Sequence, residues 1–174
     1  MPRKTPKTMK PAVLLSEIRR DVSFVLGRPY PERIDHRLFQ PDKRVLALWA
    51  ADCAEHVLPF FAMEHPDDER PERAIHACRQ WAVTGIFRMA DIRKASLDAH
   101  AAAREAKEPA AKFAAHAAGQ AVATPHVPTH AFGCSVYAVR AVATHTGNAD
   151  EGIIGERGWQ MERLRRYAAD REPS

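Results

Sequence analysis

Apolar residues recur at three- and four-residue spacing along most of this chain and never alternate in twos over a convincing length. Helices are therefore predicted throughout. Val13, Leu14, Ile18, Val22, Val25 and Leu26 predict a short first helix from Ala12 to Leu26, with Ser16 available as a cap or first-turn residue. The next segment carries Pro29, Pro31 and Pro41, each of which disfavours helix at the residue before it, so an irregular arm is predicted there. Asp42 is a natural N-cap for a strong helix in which Leu46, Trp49, Ala50, Cys53, Val57, Phe60 and Phe61 line one side. Pro59 stands in its last turn. Pro71 fits the start of a second core helix, with Ala74, Ile75, Cys78, Trp81 and Ala82 inward and Gly85 as its stop.

A connector over 86–90 leads to a third core helix capped by Asp91, whose inward face would include Ala95, Leu97 or Asp98, Ala102 and Ala106. From Ser96 to Ala123 the chain is dominated by alanine, with 13 alanines between Ala99 and Ala123. Alanine loses no side-chain entropy in a helix and lets neighbours approach closely, so two helices meeting at Pro109 are predicted at the centre of a bundle. Thr124, Pro125 and Pro128 would open a fifth helix running through Phe132, Val136, Tyr137, Val139, Arg140 and Val142. Residues 147–158 read as a loop, and a last helix from about Glu156 to Ala169 carries Trp159, Met161, Leu164 and Tyr167. The predicted fold is all-α: a single-domain antiparallel helical bundle of five to six main helices with a basic, Pro-containing N-terminal arm. Residues 1–11 read as a disordered basic tail, 12–42 as helix and arm, and 43–170 as the helical domain.

At 174 residues the chain is long enough for one domain with a core of its own. Because so much of its apolar content is alanine, that core must lean on Trp49, Trp81, Trp159, Phe60, Phe61, Leu48 and Leu58. No run of 18 apolar residues and no compact leader sequence is present, so a cytoplasmic protein without a membrane span is expected. Cys53, Cys78 and Cys134 lack C-x-x-C spacing and sit in apolar helical patterns, as buried thiols do. The first 40 residues hold nine basic against four acidic residues, and the rest 17 against 18, so the body is near neutral. A nucleic-acid binder would carry its basic stripe on the body, which makes that a minority reading.

Asp52, Glu55 and His56 share one face of the first core helix, where they could act as an acid/base pair or as metal ligands, or instead form an Asp52–His56 surface pair or a bridge to an arginine of the next helix. His100 and Arg104 form another i,i+4 pair, and His126 and His130 are one turn apart. Together with His116 these histidines could gather a metal, since imidazole suits Zn, Ni and Fe; hydrogen bonding across an alanine-rich bundle is the competing explanation. Arg163, Arg165, Arg166 and Arg171 follow Trp159 but are partly balanced by Glu162, Asp170 and Glu172, as on a solvated face. Neither a Gly-rich phosphate loop nor a G-x-S-x-G elbow occurs. No catalytic residue and no cofactor is assigned.

The stretches LALWAADCAEHVLPFF (46–61), DDERPERAI (67–75), RKASLDAHAAAREA (93–106), AAGQAVATPHVPTHAFG (117–133), YAVRAV (137–142) and ERGWQMERLRRY (156–167) resemble the Imm-5-like immunity proteins of bacterial polymorphic toxin systems. The strongest marks are Trp49, Ala50, Asp52, Cys53, His100, Ala101, Ala102, Arg104, His126, His130, Trp159, Gln160 and Leu164, within a resemblance over roughly 43–168. The resemblance implies neutralisation of a cognate protein toxin by stoichiometric binding, with Asp52, Glu55, Asp67, Asp68, Arg93 and Arg104 as charged anchors and His56, His100, His126 and His130 as further partner-contact candidates. A helical metal- or small-ligand-binding protein is the alternative, a nucleic-acid-associated protein the second. A homodimer is left open.

Overall fold

The structure, a computed structural model, describes residues 10–28 and 41–171. The predicted disordered tail, apart from its last two residues, and most of the predicted arm lie outside the described residues. The described chain forms α1 (Pro11–Leu26), α2 (Lys43–Glu64), α3 (Arg70–Thr84), α4 (Met89–Glu105), α5 (Pro109–Ala123), α6 (His130–His145) and α7 (Asp150–Ala169). Among the described residues there are thus seven helices in an all-α antiparallel bundle, which corrects the expectation of five to six. The difference is α1. It is a full member of the bundle, burying Leu14, Ile18, Val22 and Leu26 as it packs on α6 and α7, and Asp21 is ion-paired with Arg157 of α7.

The Ala-rich stretch divides into α4 and α5, as its composition and Pro109 predict. α5 is packed by α2, α3, α4 and α6, and its Ala111, Ala114, Ala115, Ala117, Ala118 and Ala121 are fully buried. Small residues let helices come close enough for side chains to reach the next backbone. Ser96 Oγ donates to the Gly119 carbonyl at 2.9 Å, Cys134 Sγ to Ala50 at 3.1 Å, and Cys78 Sγ lies between the carbonyls of Ala121 (3.2 Å) and Ala47 (3.4 Å). Gly119 leaves room for the His100 ring, which a Cβ at that position, 2.7 Å from Nε2, would force to move. Burial pushes the thiols up, Cys78 to about 12, and Cys53 and Cys134 are likewise held well above the ordinary cysteine range. Native protein should therefore resist a maleimide that labels all three cysteines after denaturation, and mass spectrometry checks this.

The large core side chains are Trp49, Phe61 and Phe132, supported by Leu14, Ile18, Leu26, Leu46 and Leu164. Trp81, Trp159, Phe60, Leu48 and Leu58 are only half-buried, and Leu97 is 55% exposed rather than inward. Helix starts also differ from the sequence pattern. α7 begins at Asp150, where Asp150 and Glu151 suit the positive end of the helix dipole, and the glycines of residues 150–158 do not prevent the helix. α6 begins at His130, after turns through Pro125 and Pro128. α4 begins at Met89, which puts Asp91 in its first turn, and α1 begins at Pro11, so Ser16 is inside it. Asp42 stands at the α2 N-cap without capping, its carboxylate taken by Arg28 (2.5 Å) and Arg171 (2.7 Å). By length and composition α2 alone among the described helices could cross a membrane, yet it is the bundle's core helix, with 56% of its apolar window buried.

Candidate partner-binding face

Asp52 interrupts the apolar face of α2 between Ala51 and Cys53 and is 5% exposed. A carboxylate so enclosed needs donors, and three arrive from two helices. Arg79 Nη2 of α3 donates to Oδ1 at 2.6 Å, while Arg163 Nε and Tyr167 OH of α7 each donate to Oδ2 at 2.7 Å. Burial alone would raise the Asp52 pKa. The bonds from Tyr167, Arg79 and Arg163 outweigh it and hold the carboxyl below the usual range. Arg79 also forks onto exposed Glu55, at 2.7 Å through each nitrogen. The bridge from Asp52 and Glu55 to an arginine of the next helix is therefore present.

His56 does not pair with Asp52. Its Nδ1 is 2.8 Å from Glu156 Oε2, and its ring stacks on Trp159 with centroids 3.8 Å apart and planes 15° from parallel. Arg163 lies 5.6 Å from the Trp159 ring centre, so it joins the aromatic stack to the Asp52 knot. Inward from Glu156, Gln160 Nε2 donates to Oε1 at 2.9 Å, Ser135 Oγ donates to Gln160 Oε1 at 2.5 Å, and Trp49 Nε1 donates to the Gln160 carbonyl at 2.8 Å. A polar string thus runs from the core to the surface, where it ends in a face of Glu55, His56, Arg79, Trp159 and Arg163.

The other predicted residues lie elsewhere. Asp68 is gripped by Arg70, whose Nη2 also reaches Glu105 at 2.5 Å, and Asp67 beside it is exposed. Glu64 accepts the backbone N–H groups of Lys107 (2.7 Å) and Glu108 (3.0 Å) and so closes the start of α5. Arg93 and Arg104 are exposed. His100 is not paired with Arg104, because it turns to α5, where its Nδ1 lies 2.7 Å from His116 Nδ1. His130 Nδ1 meets Gln120 Oε1 at 2.7 Å, and exposed His126 lies against Phe87 at 6.2 Å. Each histidine has a different neighbour, and no group of three or more His, Cys, Asp or Glu able to hold a metal occurs among the described residues.

Burial, then the charges of His100, Arg104, Lys112 and Arg140, lower the His116 pKa to about 4; burial and Arg104 lower that of His100. A histidine depressed on folding binds its proton more readily when unfolded, near 6.5. This contribution to stability is whole above about pH 6.5 and is lost as pH falls through about 4. Urea midpoints measured between those limits should fall with acidity, and His116→Asn should flatten the decline.

The predicted set omitted Arg79, Glu156, Arg163 and Tyr167. Two signals pointed to them: a lone carboxylate on an apolar helix face, and the spacing of Glu156, Gln160, Arg163 and Tyr167 along one side of α7. Across these helices the sequence matches the family described as "Imm-5 like putative immunity protein" over residues 36–167. The chain belongs to the Imm-5-like immunity-protein family. No curated protein and no solved structure matches it. The matched span contains every residue of the Asp52 knot and of the outward face, whereas α1 of this Imm-5-like protein lies outside it.

Proposed function

We propose that this Imm-5-like protein neutralises a cognate toxin by stoichiometric binding, with the α2–α3–α7 face as its docking surface and no covalent step. One observation carries the choice of face. Trp159 stacks on His56 and lies beside Arg163, while Arg79 and Arg163 are fixed by buried Asp52, so a tryptophan and two arginines stand preorganised at the surface. Tryptophan and arginine supply a disproportionate share of binding energy at protein interfaces, and side chains already immobilised lose less entropy on docking. Glu55 at 58% exposure adds an acidic edge that favours a partner with matching positive charge there.

Co-expression with the cognate toxin is the direct trial. The native protein should restore growth, and Trp159→Ala should weaken rescue and lower affinity at least tenfold, about 1.4 kcal/mol or more. Full rescue by a stably folded Trp159→Ala, Arg79→Glu double variant would remove this face from the account.

A further inference from the structure

The outer face of α4, α5 and α6 gathers positive charge that the fold leaves unanswered. Arg104 of α4, Lys112 of α5 and Arg140 of α6 form no ion pair among the described residues, and exposed Glu108, one turn before Lys112, makes none with it. Arg73–Glu69 and Lys94–Asp98 pair one turn apart, whereas exposed Arg93 and Lys107 likewise form no ion pair among the described residues. All three cations act by charge on His116, which faces His100 across the α4–α5 contact. Arg140 rests on an aromatic floor. Arg140 sits 4.1 Å over Phe113 and 6.0 Å from the Tyr137 ring, and His116 stacks on Tyr137 at 5.0 Å.

Like charges brought together repel, and the cost falls when an anionic partner arrives. We propose that this face docks a carboxylate-rich segment of a partner protein, its acids pairing with Arg104, Lys112 and Arg140. Arginine forks match carboxylates in bidentate geometry. A nucleic acid fits less well: Arg140 lies over Phe113 and His116 over Tyr137, which occupies ring faces on which bases would stack, and the body beyond residue 40 is near neutral. This face shares no side chain with the docking surface of the preceding section, so the two stand or fall separately.

The test is a titration of the full chain with an octaglutamate peptide, followed by NMR of the histidine rings, with octalysine and dodecathymidylate as comparison probes. Octaglutamate should shift the His100 and His116 signals and raise the His116 midpoint from about 4, since added negative charge favours the imidazolium. Raising ionic strength from about 0.01 M to about 0.15 M shortens the screening length from about 30 Å to about 8 Å and should weaken binding about tenfold. Arg140→Gln should weaken it by a similar factor, and Arg104→Gln, on an exposed side chain that the fold does not need, should do so without altering the circular dichroism spectrum. No shift at these histidines, affinity unchanged in both variants, or tighter binding of dodecathymidylate at the same residues would each overturn the proposal.

Discussion

Replacing Asp52 by asparagine should cost about 2–3 kcal/mol of unfolding free energy. The substitution keeps the side chain's shape and removes its charge, leaving Arg79 and Arg163 side by side with no shared anion. Breaking a fully enclosed ion pair costs about 3–5 kcal/mol. The lower figure is appropriate because Arg79 and Arg163 keep 32% and 40% of their side chains exposed, where water screens them. The pH dependence has a definite sign. A carboxylate whose pKa is lowered on folding contributes stability above its unfolded value, near 3.9, and loses it as pH falls through the lower folded value. Acid unfolding of the native protein therefore has a component below about pH 4 that Asp52→Asn lacks, separate from the histidine component above it. Urea denaturation at several pH values measures both. An unchanged midpoint at neutral pH would mean that the knot contributes nothing to stability.

Ala118→Leu should cost about 3 kcal/mol or more, the largest effect expected of a purely apolar substitution here. Ala118 is fully buried on α5, and α2, α3, α4 and α6 all pack on that helix. Three added carbon atoms have no space to enter without moving a neighbouring helix. Ala62→Leu on the exposed side of α2 is the comparison, and should change stability by no more than about 0.5 kcal/mol. Thermal unfolding of the pair checks the claim that alanine is used here for closeness. Equal effects at the two positions would refute it.

Most of the architecture could be read in the sequence because it rests on local signals. The 3.6-residue spacing of Leu46, Trp49, Cys53 and Val57, proline at the start of α5, and Gly85 in the left-handed conformation at the end of α3 all act within a turn or two. What misled was also local. Pro125 and Pro128 look like first-turn residues of α6 but occupy the turns before it, and the glycines near the start of α7 suggested a loop although first-turn acids support a helix there. Side-chain exposure was harder to read, since alanine gives both faces of α4 a similar character and conceals that Leu97 points outward.

The candidate site divides along the same line. Asp52, Glu55 and His56 stand on one helix and could be grouped by spacing alone. Arg79 lies 27 residues from Asp52 in sequence, and Arg163 and Tyr167 lie 111 and 115 residues away, so only the packing of α2 against α3 and α7 joins them. For His100 the helix spacing pointed to Arg104, but burial turned the ring toward α5, where Gly119 leaves room for it beside His116.

On the proposed function, the α2–α3–α7 face captures a toxin one to one. Calorimetric titration of the purified chain with its cognate toxin measures stoichiometry and site together. A single transition at one toxin per chain is expected, with affinity reduced at least tenfold by Trp159→Ala. Substoichiometric neutralisation, or a one-to-one complex indifferent to both Trp159→Ala and Arg79→Glu, would contradict it.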